Sequence, residues 1–148
     1  MQRRQSSTKT HSLERELVIP VMTYLRDRGC SSVVSELRFF DRGIDVYGVC
    51  EGRRKLTYAV ELKLSDWQRA LQQAAVYQLC SDLSYVAMPF DGAACVDLAP
   101  FRQCGVGLLV VREDGSVGTM LEAQKSSEVR RHYVTALARS AREDIAYA

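Results

Sequence analysis

Asp45, Glu61 and Lys63 are the residues of this chain whose types and spacing suit chemistry best. Glu61 and Lys63 stand one residue apart in a β-favouring run, LTYAVELKL at 56–64. Side chains two apart on a strand point to the same side. Asp45 lies in a second apolar run, GIDV at 43–46. If the two runs are neighbouring strands, two carboxylates and an ammonium meet. Two carboxylates, with a backbone carbonyl and waters, suit Mg²⁺ or Mn²⁺, hard cations that favour oxygen ligands. A metal held there polarises a phosphate and lowers the pKa of a bound water, the requirements for phosphodiester hydrolysis. Lys63 would orient that water, neutralise transition-state charge, or act as base if burial depresses its pKa. The ordinary alternative is an exposed Glu–Lys pair on a half-solvated strand, with Asp45 paired to Arg38 across a hairpin.

The elements that must hold these residues are legible in the pattern. Leu13, Leu17, Val21 and Leu25 form one apolar stripe of a helix over 13–28. Ser12 is placed to cap it, Pro20 to kink it and Gly29 to close it. A strand over 33–40, a turn at Asp41-Arg42-Gly43 and a return strand over 44–50 follow. A polar turn at 51–54 leads into the strand at 56–64, so that the first three strands make a meander. Asp66 opens a helix over 66–80, rich in Ala, Leu and Gln. A strand at 85–88, a short helix or irregular connection over 91–103, a buried strand at 105–111 and a hairpin partner at 116–121 come next. A helix over 125–147 ends the series, with Val129, Tyr133, Leu137 and Ala141 one turn apart. The order αβββαβ(α)ββα describes a single α/β domain over 12–148, a mixed central sheet flanked by helices. Residues 1–11 read as a disordered basic arm.

The totals narrow the class. A chain of 148 residues is long enough for one real core, and 47% hydrophobic with 26% charged residues is ordinary for a globular protein. No apolar run is long enough to cross a bilayer, and the basic N-terminus lacks the apolar segment of a secretory signal, so a cytoplasmic protein is expected. The net charge of +2 is too small to demand a polyanionic partner. Of the 20 basic residues, however, 16 are Arg, the better bidentate phosphate ligand. Five cysteines without a CxxC pair, and histidines only at positions 11 and 132, argue against structural zinc or a disulfide framework. Reduced, mostly buried thiols are expected.

Taken together, GIDVYGV at 43–49, AVELKLSDWQRALQQAAVYQLC at 59–80 and SYVAMP at 84–89 resemble the PD-(D/E)xK nuclease superfamily, the restriction-endonuclease-like fold. The resemblance spans roughly 13–111 and implies an αβββαβ core. It also implies metal binding by Asp45 and Glu61 and completion of the site by Lys63. Ile44 stands where the pattern has Pro. Gln73 and Tyr77 match the QxxxY pattern of RecB-type relatives, four apart and on one helix face. The resemblance implies a catalytic role for Gln73 and a substrate contact for Tyr77, with Gln72 a rival for the first. A surface amide and a core aromatic explain the two equally well. Two residues are candidates for an additional acid: Glu14, by similarity to the opening helix of Holliday-junction resolvases, and Glu36, which is expected to share a face with Asp45 in the hairpin. Helix capping explains Glu14 and Glu16 equally well, and an Arg partner is the alternative for Glu36.

Among the remaining charges, Arg42, Arg53 and Arg54 sit in turns beside the catalytic strands and are placed for phosphate contact, Arg42 foremost. Solvation explains turn charges as simply. Arg130, Arg131, Arg139 and Arg142 suggest a solvated face on the last helix, and Trp67 a packing residue. The sequence therefore predicts an Mg²⁺- or Mn²⁺-dependent nuclease acting on DNA, with RNA fitting the same chemistry. Such a small domain leaves little to read sequence, which favours structure-selective cutting or work within a larger DNA-processing system. A two-fold dimer would supply two sites for two strands, though nothing in the sequence requires one. The alternative is a non-catalytic nucleic-acid-binding or assembly module that keeps the nuclease fold.

Overall fold

The computed structural model describes residues 14–53 and 55–147. The expected arm over 1–11, Ser12, Leu13 and Arg54 lie outside the described residues. Helix α1 (Val18–Asp27) is followed by strands β1 (Cys30–Phe39), β2 (Arg42–Glu51) and β3 (Lys55–Leu62), and then by helix α2 (Trp67–Val76). Strand β4 (Leu83–Pro89), short helices α3 (Phe90–Ala94) and α4 (Leu98–Cys104), strands β5 (Gly107–Val111) and β6 (Val117–Leu121), and helix α5 (Arg131–Tyr147) complete the chain. Among the described residues the strands form one six-stranded sheet in the order β1-β2-β3-β4-β5-β6. The first three strands are the expected antiparallel meander, β3, β4 and β5 run parallel, and β6 returns antiparallel. The result is a mixed α/β domain with helices packed on the sheet.

Both faces are covered. On one, Leu17, Val21 and Leu25 of the α1 stripe pack against Val46, Tyr58, Val60, Leu62, Tyr85, Ala87 and Leu109. On the other, Ala70, Leu71 and Ala74 of α2, Ala93 of α3 and Phe101 of α4 cover Val86, Met88, Leu108 and Val110. Leu137, Ala138 and Ala141 of α5 continue that layer over Val34, Leu37, Tyr47 and Val49. The alternation along β4 and β5 follows from the period of two, and both strands are buried on both sides, as parallel strands between helices must be.

Several boundaries depart from the sequence expectation, among them the strand expected over 56–64, which ends at Leu62 and leaves Lys63 just past it. Four others have a local reason. Residues 14–16 form a separate helical turn and α1 proper begins at Val18, so Pro20 sits in its first turn. A missing N–H costs nothing there, and Pro20 sets the start of the helix instead of kinking its middle. Strand β1 begins at Cys30, three residues early, because Cys30 pairs with Cys50 across a bulge. The hairpin turn is Phe40-Asp41, one residue earlier than expected, since Phe39 pairs with Arg42. The last helix begins at Arg131, six residues late. Residues 122–130 instead form a strap, in which the N–H groups of Gln124, Ser126 and Arg130 donate to the carbonyls of Gly105, Asp82 and Leu79 at 2.8–2.9 Å. Ser126 Oγ donates to Gln78 O at 2.7 Å and accepts from Glu128 N, the side-chain-to-backbone bonding by which Ser competes with helix.

Cys30, Cys50 and Cys80 are buried free thiols, and Cys95 and Cys104 are exposed ones. No helix among the described residues is long and apolar enough to cross a membrane.

Candidate active site

The site lies where β2 and β3 part. Their ladder runs from Glu51↔Lys55 to Val46↔Val60 and goes no further. The next pair would be Asp45 and Glu61. At that point the Asp45 carboxylate takes the place of a strand carbonyl, with Oδ2 accepting from Leu62 N at 2.8 Å. Just past the end of β3, Lys63 N donates to Ala87 O of β4 at 3.1 Å. The carboxylate of Asp45 is thereby tied to the backbone next to Glu61, on strands that neighbours hold in place.

Glu61 is buried, at 8% exposure, and Asp45 is half-buried. Burial is the main reason that both carboxyls hold their protons above the ordinary carboxylate range. Glu61 is pushed up to about 7, with the neighbouring Asp45 charge adding to burial, while a Tyr77 hydrogen bond and the Lys63 charge pull the other way. Asp45 is raised by burial and by the Glu14 charge, and lowered by Leu62 N–H and by Lys63. The two carboxyls also act on each other, Asp45 raising Glu61 and Glu61 lowering Asp45, so that they titrate as a pair. Asp45 and Glu61 therefore lie next to each other, and the Lys63 charge acts on both.

Tyr77 holds Glu61 in place. It follows α2 in a one-turn 3₁₀ helix (Tyr77–Leu79), and its ring is buried at 1% exposure. The hydroxyl donates to Glu61 Oε1 at 2.7 Å and lies 3.2 Å from Gly43 O. The expectation that Tyr77 touches substrate is corrected here: its ring belongs to the core and its hydroxyl is used within the site. Gln73 is one turn earlier on α2 and faces outward. Its Oε1 accepts from Arg42 Nη1 at 3.0 Å. Arg42, Gln68, Arg69, Gln72 and Gln73 line, with Asp66 and Val76, an open groove of about 550 Å³. Gln72 and Gln73 both reach this groove. Arg69 was not singled out from the sequence, yet its spacing of four from Gln73 marked it as the next residue on the same helix stripe. Asp66 caps α2 as expected, accepting from Arg69 N at 3.3 Å.

The two rival acids separate. Glu14, in the turn before α1, is close enough for its charge to act on Asp45. Glu36 lies opposite Asp45 by register, between the pairs Ser35↔Val46 and Leu37↔Ile44, but the ladder skips it. Its φ of 56° turns the backbone left-handed and the residue is exposed, so the shared hairpin face anticipated for Glu36 is not formed. The same irregularity shows on β2, where Ile44 and Tyr47, an odd number of residues apart, enter one core cluster.

Among the described residues no group of three or more His, Cys, Asp or Glu side chains is gathered as a metal cluster. The donor set at the site is thus a carboxylate pair, which fits a cation that keeps most of its water. Arg53 is exposed in its turn, and Trp67 packs on Phe101 with ring centroids 6.0 Å apart. Two of the α5 arginines are not free in solvent: Arg131 pairs with the buried Asp82 at 2.7 Å and Arg142 with Glu51 at 3.4 Å. Arg130 and Arg139 are exposed.

No protein-family model and no curated protein matches the chain. Among solved structures it is similar to the SPO1766 protein of unknown function from Silicibacter pomeroyi, with a TM-score of 0.66 and 18% identity over 86% of this chain and 82% of that one. A weaker likeness, at a TM-score of 0.40 and 13% identity, is to SfsA of Pyrococcus furiosus, solved in complex with Ca²⁺, covering 84% of this chain and 65% of that one. At such identities the first likeness shows a shared fold and nothing of activity.

Proposed function

We propose that the chain is a metal-dependent nuclease of the restriction-endonuclease-like fold, hydrolysing phosphodiester bonds in DNA. The observation that carries this reading is the carboxyl pair of half-buried Asp45 and buried Glu61 at a strand end, with the Lys63 charge acting on both. Two carboxylates desolvated side by side repel each other, and a bound cation is the direct way to relieve that cost at neutral pH. Asp45 and Glu61 would hold Mg²⁺ or Mn²⁺, which when bound supplies phosphate polarisation and a more acidic water.

The protein's own groups do the rest. Leu62 N–H and the Tyr77 hydroxyl fix one oxygen of each carboxyl. Lys63 places an ammonium beside the pair, where it stabilises charge building on the phosphate oxygens. Arg42 and Arg69 in the groove offer cationic contacts to the flanking phosphates. Gln73, held by Arg42, presents an amide to the same strand.

The test is cleavage of supercoiled and branched DNA with Mg²⁺ or Mn²⁺. Metal-dependent cutting that disappears in Asp45→Ala and in Lys63→Ala, with DNA binding retained, is the expected result. Binding without cutting under every divalent metal would overturn the enzyme reading in favour of a non-catalytic module.

A further inference from the structure

The β1–β2 hairpin tip carries an aromatic ring in an unusual setting. Phe40 has a φ of 57°, in the left-handed region where Gly or Asn is favoured. Its side chain is 69% exposed, more than Ile19, Phe90 or Met120. An exposed Phe is ordinary; an exposed Phe on a backbone conformation that disfavours it is not. The root of the ring is braced. Phe40 meets Phe39 edge-on at 4.9 Å and Tyr133 at 5.4 Å, while Phe39 and Tyr133 lie 5.3 Å apart.

The next residues run straight into the candidate site. Arg42 bonds Gln73 and lines the groove, and the Gly43 carbonyl is 3.2 Å from the Tyr77 hydroxyl that supports Glu61. Within four residues the hairpin passes from an exposed ring, through a cation, to the support of the acidic pair. Asp41 and Arg42, which follow Phe40 in the chain, and His132, beside Tyr133, are exposed. A flat apolar face set among charges does not suit an apolar protein surface, which needs a continuous patch. It suits a nucleobase, whose face is apolar and whose phosphate lies one cation away.

We propose that Phe40 stacks on an unpaired base of the DNA strand whose backbone follows Arg42 and Arg69, so that the preferred substrate is single-stranded or locally unpaired. This inference rests on the nuclease reading for its strand and deepens it by naming the substrate class. A stacked base leaves the duplex or is never in it, which discriminates branched, gapped or single-stranded DNA from a fully paired helix.

The experiment measures metal-free binding, in EDTA, of a single-stranded oligonucleotide and of a fully paired duplex of equal length. The single strand carries 2-aminopurine as the fluorescent reporter of stacking. The wild-type chain is expected to prefer the unpaired form by about tenfold and to quench the reporter. Phe40→Gly, which suits the left-handed backbone and so keeps the fold, should lose both effects; Phe40→Trp should keep them. Equal preference in wild type and Phe40→Gly, or none in wild type, would overturn the proposal. Cleavage by wild type in Mg²⁺ or Mn²⁺ is scored separately. Stacking without cutting removes the nuclease reading and leaves this one, cutting with no change at Phe40→Gly does the reverse, and no DNA binding removes both.

Discussion

The Tyr77 hydroxyl donates to Glu61 Oε1 across 2.7 Å, joining the turn after α2 to the end of β3. That bond favours the ionised carboxylate and opposes the effect of burial on Glu61. Tyr77→Phe removes it while preserving the ring. Glu61 should then ionise at higher pH, and the acid limb of a pH–activity profile should move upward. A stability loss of about 1 kcal/mol is expected from the lost hydroxyl. An unmoved acid limb would reduce Tyr77 to a packing residue.

Glu61 also sets a pH dependence of stability. Its folded pKa of about 7 exceeds its ordinary 4.5, so the folded chain binds more protons between those values. Its contribution is fully present below about pH 4.5 and is lost as pH rises through about 7. Glu61→Gln removes that dependence and should make the metal-free protein more stable than wild type at pH 8, by roughly 2 kcal/mol. Denaturant midpoints of both proteins at pH 5 and pH 8 give the comparison. Parallel shifts of the two would refute it.

A cation at the carboxyl pair would compete with the proton that Glu61 holds up to about pH 7. Saturating Mg²⁺ or Mn²⁺ should raise the melting temperature of wild type by several degrees at pH 8 and by clearly less at pH 6. The rise should vanish in Asp45→Asn. A rise independent of pH, or retained in that variant, would place the metal elsewhere.

Asp45 has two tasks that substitution can separate. Asp45→Asn keeps an oxygen acceptor for Leu62 N–H and removes the charge, so activity should fall by at least a hundredfold with little change in melting temperature. Asp45→Ala leaves that N–H without its acceptor and should cost a further 1–3 kcal/mol or so in stability. Equal stability of the two variants would mean that the backbone bond carries no weight.

Asp82 holds the strap to the sheet and is 1% exposed. It accepts from Thr57 N, from Thr57 Oγ1 and from Arg131 Nη2 at 2.7–3.0 Å. Asp82→Ala strands these donors and should destabilise by about 3 kcal/mol. Arg131→Ala, which leaves the two Thr57 bonds, should cost clearly less. Thermal melts of the two variants decide the order.

Much of this molecule was written in local pattern. Alternation and turn residues were enough for the three-stranded meander, and the switch from period two to helical spacing after Leu64 placed α2 with its Asp66 cap. The apolar runs at 85–88 and 105–111 marked the two buried parallel strands. Asp45 and Glu61 were legible because charges inside apolar strands are costly unless they meet a partner, and Lys63 by its place two residues after Glu61. Their convergence needed the β2–β3 pairing, which the short polar turn between them made natural.

Only the tertiary structure decided the remainder, since it depends on contacts between residues distant in sequence. Tyr77 as the support of Glu61, rather than a substrate contact, turns on where the last turn of α2 meets β3. Glu36 leaves the site because one left-handed residue undoes a face assignment that strict alternation would make. Residues 122–130 form a strap because carbonyls of Leu79, Asp82 and Gly105, 19 to 51 residues upstream of the N–H groups they meet, accept hydrogen bonds that a helix would have supplied locally.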